Sequence, residues 1–231
     1  MKVQGIDIVW FCGGREMVRV TLISDTHGLH DSVEIEPTDI LIHCGDFSNI
    51  GELSALKSFN HWLLEQPSKI NIVVAGNHDR MFEKNPIASR KLLTNAIYLE
   101  NSGVEVMGLK IWGSPVTSTL PSWSFVETDE TKRFDHWKQI PMDLDILVTH
   151  GPPHGIMDQV PRFYHEEGPV DENCGDVMLL AHVTRTKPKY HVFGHIHEGY
   201  GRIETPHTTF INCSQCDAMY NIKNPPQIIN L

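Results

Sequence analysis

Seven side chains sit in short polar blocks whose types and spacing could hold metal ions: Asp25 with His27, Asp46, Asn77, His150, and His195 with His197. Asp25 and His27 are two residues apart, so in an extended segment both could reach one ion. Asp46 follows Gly45 and Asn77 follows Gly76. Glycine allows a sharp turn that aims the next side chain beyond the strand end. His195 and His197 bracket Ile196 and could share one face of an extended segment. The donors are oxygen and imidazole nitrogen, with no thiolate. That set suits manganese, iron or zinc, fits calcium and magnesium poorly, and does not resemble a structural zinc site. There are too many donors for one ion. Two ions sharing a carboxylate, about 3.5–4 Å apart, would use them all, and such pairs recur in phosphoryl hydrolysis. Each block alone is weak: Asp25 or Asp46 could cap a helix, Asn77 could serve a left-handed turn, and a lone His150 could be structural. Their strength lies in order and setting.

That setting is a series of apolar runs rich in Val and Ile, each ending in one of the blocks. They cover residues 18–24, 39–43, 70–75, 145–149 and 189–193. Short continuous apolar runs of this kind predict buried central strands. Helices are predicted over 52–64, 90–95 and 176–184, and the alternation over 96–113 suggests a β-meander. Strands alternating with helices give a layered α/β architecture, in which polar strand ends are where open sheets place ligands. No long linker or repeat divides the chain.

Composition narrows the partners. The chain has 231 residues and a formal net charge of −10, which argues against a general nucleic-acid or anionic-membrane surface. A focus of positive charge made by metal ions remains compatible with it. Five cysteines, Cys12, Cys44, Cys174, Cys213 and Cys216, form an odd set in a chain too large to need disulfide staples. Cys213 and Cys216 make a Cys-x-x-Cys pair without a second pair to complete a zinc site, so idle or buried thiols are expected. The apolar stretch 6–12 contains Asp7 and is too short for a membrane span or signal peptide. A reducing cytoplasm is the default location, and homo-oligomers are compatible with the sequence.

Taken in order, Asp25-Thr26-His27, Gly45-Asp46, Gly76-Asn77-His78-Asp79, Thr149-His150-Gly151 and Gly194-His195-Ile196-His197 resemble the signature of the calcineurin-like metallophosphoesterases. The narrower resemblance is to the metallophosphoesterase-domain brain proteins and class III cyclic-nucleotide phosphodiesterases. It rests on the blocks around His150 and His195 and on Asn224-Pro225-Pro226. The resemblance implies a four-layer α-β-β-α sandwich over residues 19–231, preceded by an extension over 1–18 that could add a strand. It implies two ions, manganese or iron before zinc. Asp25, His27, Asp46 and His197 would hold the first, and Asp46, Asn77, His150 and His195 the second. Asn77 and His78 would meet the substrate, with His78 off the metals as proton donor and Asp46 bridging. The implied reaction is attack by a metal-bound hydroxide on a small phosphodiester such as a cyclic nucleotide. A phosphomonoesterase and a nucleotide-binding module with little turnover are the alternatives. Some brain-type members carry glycine at the first histidine of the Gly-His-x-His block; this chain keeps His195. Residues 162–176 read as an inserted loop. The 117–125 segment, with Trp123 and Phe125, reads as a rim that could stack a base or simply pack, and His154 and Arg162 are further rim candidates.

Overall fold

The computed structural model describes residues 17–118, 122–162 and 170–231. The predicted apolar runs form strands β1 (Arg19–Ile23), β2 (Thr38–His43), β3 (Ser68–Val73), β7 (Ile146–Thr149) and β10 (Tyr190–Phe193). Strands β4 (Ile97–Tyr98), β5 (Ser102–Val106), β6 (Leu109–Ser114), β8 (Gln159–Arg162), β9 (Val170–Asn173), β11 (Gly201–Glu204), β12 (Thr209–Asn212) and β13 (Gln227–Asn230) complete the strand set. The helices are α1 (Leu53–Glu65), α2 (Met81–Lys84), α3 (Pro86–Leu92), α4 (Glu130–Trp137) and α5 (Val177–Thr186).

Two mixed sheets carry all of these strands except β8 and β9, which pair with each other; one has the order β13-β1-β2-β3-β4 and the other β11-β12-β10-β7-β6-β5. Within the first, β1 to β4 run parallel and β13 is antiparallel to β1. Alternation along each strand assigns the layers. Val20, Leu22, Ile40, Ile42 and Ile72 meet Ile111, Ile146, Val148, Val192 and Ile211 in a core between the sheets. The intervening residues Ile23, Leu41 and Val73 face outward onto Leu56, Phe59 and Leu63 of α1. On the far side, Trp112, Leu147 and Phe193 pack on Trp137 of α4 and on Leu179 and Val183 of α5. Both faces of the central strands are therefore buried, which is why their sequences read as unbroken apolar runs. The architecture is the expected α-β-β-α sandwich.

Several elements differ from the sequence expectation. The 96–113 segment is not one meander: β4 pairs with β3 in the first sheet, while β5 and β6 form a hairpin in the second. An alternating pattern is the same whichever sheet receives the strand. The helix expected over 90–95 lies earlier, because Pro86 is favourable at a first helical position and starts α3. Helix α4 is an addition to the expected set; the Asp129 carboxylate caps it by accepting from the N–H groups of Thr131 and Lys132. The inserted loop over 162–176 is partly a hairpin of β8 and β9, and Asp176 caps α5. The extension expected over 1–18 lies, for residues 1–16, outside the described residues; Val18 exchanges backbone hydrogen bonds with Leu231. Among the described residues no helix is long and apolar enough to cross a membrane.

Two buried histidines hold the strand ends that carry the polar blocks. His43 Nε2 lies 3.0 Å from the Thr26 hydroxyl, and His191 Nε2 lies 2.8 Å from the Thr149 hydroxyl. Thr149 donates to the Gly151 carbonyl, so His191 is the donor in its pair. Burial holds the His191 imidazole down to about 3, from an ordinary 6.5. Between those values the unfolded chain takes up a proton that the folded chain refuses. The contribution of a neutral His191 is thus complete above about pH 6.5 and is lost as pH falls towards about 3, by up to about 1.4 kcal/mol per pH unit. Urea unfolding between about pH 6.5 and 4.5 should show a shallower loss of stability in His191→Gln than in the parent. Parallel slopes would rule that contribution out.

Candidate metal centre

Three of the five polar blocks leave their strands through left-handed residues, whereas those at Asn77 and His150 do not. Asp25, His27, Asp46 and His195 have φ of 53°, 43°, 56° and 68°. The expectation that Asp25/His27 and His195/His197 lie on extended segments is therefore incorrect. The turns let neighbouring loops bond to one another instead: Asp25 N–H donates to Gly45 O, and His27 N–H to Asp46 O, both at 2.9 Å. Asp and His are among the non-glycine residues that tolerate this region best, and strain of this kind clusters at functional sites. Gly76 and Gly194 are needed for a different reason. A Cβ on Gly76 would overlap Asp46 Oδ1 and His150, and one on Gly194 would overlap Asp25 Oδ2.

The structure brings all seven side chains to the ends of the central strands. Asp25, His27 and His197 offer ligand atoms within 4.8 Å of one another, as do Asp46, His150 and His195. Asn77 Oδ1 lies 2.9 Å from His150 Nε2, which joins it to the second group. Between the two groups, His27, Asp46 and His78 form a third overlapping set. His27 Nε2 and His197 Nε2 face each other at 3.2 Å. Only one of two such nitrogens can donate, and a cation accepted by both lone pairs would suit the pair better. The outer atoms are already committed. His150 Nδ1 donates to Cys44 O and His197 Nδ1 donates to Asp217 O, each at 3.0 Å, which turns both Nε2 atoms inward. Carbonyl partners of this kind fix the tautomer of a ligating imidazole. The donor set and its orientation fit two cations.

Electrostatics point the same way. Burial would raise Asp46, but His150 first, then His27 and His78, overcome it and hold the carboxyl at about 2. Burial likewise opposes the charged form of Asp25, and His197, His150 and His27 bring it well below the carboxylate range. Burial would lower His150 and His197, yet Asp46 lifts the first to about 10 and Asp25 lifts the second to about 9. His27 and His195 are both held at about 4, mainly by burial. Asp25 and Asp46 are thus kept ionised beside His150 and His197, whereas burial and the neighbouring Asp46 push the Asp79 carboxyl up to about 7.

His78 is at the edge of the cluster. Its backbone N–H donates to Asp46 Oδ1 at 2.7 Å and its Nδ1 donates to Asn49 O at 2.5 Å. Its Nε2 lies 3.9 Å from Asp46 Oδ2. The ring rests against the Trp123 indole, with centroids 4.1 Å apart, and the Arg80 guanidinium lies 4.5 Å over the same residue. Asp79 clips the two loops together by accepting from the N–H groups of Asp46, Gly76 and Ser48 and from the Ser48 hydroxyl, at 2.7–3.0 Å.

Three contributors lie beyond the sequence reading. The Ser214 hydroxyl donates to Asp25 Oδ2 at 2.8 Å, Asp217 supplies the carbonyl behind His197, and Tyr220 packs on His27 and His197. All three follow β12, which no apolar run announces, so only the Ser-x-x-Asp-x-x-Tyr order is there to find. The rim resolves in part. Phe125 packs into the outer core around α1, and His154 faces Asp158 at 3.8 Å outside the ligand groups. The Arg162 side chain lies outside the described residues. Cys44, Cys213 and Cys216 are buried free thiols.

The family model described as calcineurin-like phosphoesterase matches residues 18–199. The chain is 37% identical to metallophosphoesterase domain-containing protein 1 of Homo sapiens, an alignment covering 92% of this chain and 71% of that protein. It is 38% identical to a UPF0046 protein of Caenorhabditis elegans over 93% of this chain and 81% of that one. Among solved structures, one aligns at a TM-score of 0.58 with 14% identity, over 94% of this chain and 99% of the other. A protein of Thermus thermophilus, TT1561, aligns at 0.55 with 12% identity, over 93% and 99%. These two likenesses concern the fold alone.

Proposed function

The chain belongs to the calcineurin-like metallophosphoesterase family, and from that premise we propose that it is a phosphodiesterase acting on small diesters such as cyclic nucleotides. The observation that carries the reading is His78, set beside a full double set of ligands with its Nε2 left to face them. Asp25, His27, Asp46 and His197 would hold one cation and Asp46, Asn77, His150 and His195 the other, with manganese or iron favoured by the donors. Bound there, two such cations would lower the pKa of water and neutralise the non-bridging phosphate oxygens.

The remaining work falls to the chain's own groups. With Nδ1–H committed to the Asn49 carbonyl, His78 can carry its second proton only at Nε2. From there the imidazolium would give that proton to the departing alkoxide, which an alkyl ester such as a cyclic nucleotide needs because an alkoxide is a poor leaving group. Asp46 fixes the same residue from behind by accepting its backbone N–H. Trp123 and Arg80 wall the imidazole on its outer side.

Turnover of bis-p-nitrophenyl phosphate, p-nitrophenyl phosphate and cyclic nucleotides with Mn²⁺ tests the reading. Diesters should be hydrolysed with the higher kcat/KM. A clear preference for the monoester would make it a phosphomonoesterase. Nucleotide binding with no turnover under any metal would make it a binding module.

Loading of the ions has its own signature. His150 and His197, held at about 10 and about 9, bind protons at neutral pH when no cation is present. Each must give up the proton on Nε2 to ligate. Titration of metal-stripped protein with Mn²⁺ in buffers of different ionisation enthalpy should therefore show release of about two protons per chain near pH 7, with affinity rising with pH. Metal uptake without proton release would contradict this pairing.

A further inference from the structure

The ring of Tyr220 stands at the mouth of the cluster. It meets His27 edge-on at a centroid distance of 4.7 Å and His197 at 5.1 Å, and its centroid is 6.5 Å from that of His78. Nearly half of the residue, 47%, stays exposed. Its backbone is left-handed, with φ of 61°. That region is costly for a bulky aromatic residue and natural for glycine, so the turn is held against its own preference. Asp217 does the holding. Its carboxylate accepts from Met219 and Asn221 N–H at 2.9 and 3.0 Å, and its carbonyl accepts from Tyr220 N–H and from His197 Nδ1. One turn therefore fixes both the inward aim of an imidazole and the place of the aromatic ring beside it.

The other aromatic residues at the mouth are spent. Trp123 already meets His78 and Arg80 on its π surface, and Phe125 belongs to the packed outer core. Tyr220 has open surface near the proton donor, their ring centroids 6.5 Å apart. Its chain neighbour Met219 is 79% exposed, and Ile50, next to the Asn49 that holds His78, is 63% exposed. The charges that reach Tyr220 are the carboxylates of Asp46, Asp25 and Glu198, so the exposed apolar surface beside it suits a flat neutral group rather than a second phosphate.

We propose that Tyr220 is the specificity residue of the site, packing against a planar aromatic or nucleobase group of the substrate and favouring such esters over small alkyl esters. The inference rests on the phosphodiesterase reading for its substrate class. A binding measurement keeps the two separable. Base–aromatic stacking of this kind is worth about 5–150-fold in affinity. In Mn²⁺-loaded protein, Tyr220→Leu should weaken adenosine monophosphate by that factor in calorimetric titration while inorganic phosphate keeps its affinity, and Tyr220→Phe should bind both as the parent does. The metal content of Tyr220→Leu should equal that of the parent. Equal loss of both anions, loss of metal, or unchanged binding of the nucleotide would overturn the proposal. A parent that binds the nucleotide through Tyr220 but hydrolyses no ester would leave this inference standing and remove the phosphodiesterase reading instead.

Discussion

Replacing Asp46 with alanine should deplete both ions and lower turnover by about 10³-fold or more, the expected consequence of losing several kcal/mol of charge stabilisation. The size follows from how much converges on one carboxylate. Asp46 takes part in two of the three candidate ligand groups, lies 3.3 Å from His150 Nε2, and accepts the His78 N–H. His27 also joins two groups and meets the His78 ring, but of the two carboxylates in the described cluster only Asp46 does so. Elemental analysis of purified Asp46→Ala, beside circular dichroism to show that it folds, is the deciding measurement. A folded variant that keeps two ions and near-parental activity would remove the bridging role. Asp46→Asn refines the outcome, since it preserves one oxygen and the bond to His78 while removing charge. It should keep the fold and still lose metal.

His78→Ala should behave in the opposite way: full metal content with turnover lowered by about 10²–10⁴-fold, the usual contribution of a positioned acid. The prediction is a sharp one because the side chain also lies within ligand distance of His27 and Asp46. If His78 were a ligand, its removal would take metal with it. The substrate provides a second discriminator. A p-nitrophenolate leaving group needs no proton, so the alanine variant should lose far less activity on bis-p-nitrophenyl phosphate than on a cyclic nucleotide with an alkoxide leaving group. Equal losses on both would point to a positioning or ligating role.

The site is legible in sequence to the extent that each polar block ends a buried strand. Residues such as Ile23, Leu41 and Val73 have to be apolar because helices cover the outer face, while Val20, Leu22, Ile40 and Ile42 have to be apolar because the second sheet covers the inner one. The resulting unbroken runs announce both the strand and the point where it stops. What lies within the turns is not legible. The left-handed conformations of Asp25, His27, Asp46 and His195 arise from hydrogen bonds between loops far apart in the chain, such as His27 N–H to Asp46 O. Local preference for an Asp-x-His segment carries no trace of them. The same limit hides Ser214, which reaches Asp25 across 189 residues of chain, and Tyr220, which follows a stretch with no block of its own. Helix α4 is hidden for a simpler reason: among its eight residues only Arg133 and Trp137 are buried, so its apolar stripe is almost absent.

The ligands are divided between the two sheets. Asp25, His27, Asp46 and Asn77 follow strands of the first, and His150, His195 and His197 follow strands of the second. The gap across which any ion must be gripped is therefore set by the apolar layer that separates the sheets, and Val148 and Val192 act as shims in it. Cations bound there would be held as a caliper holds a rod. Choice among ions of different radius would then rest on valines and isoleucines outside the ligand set, and thinning that layer would retune the jaws without altering a single ligand.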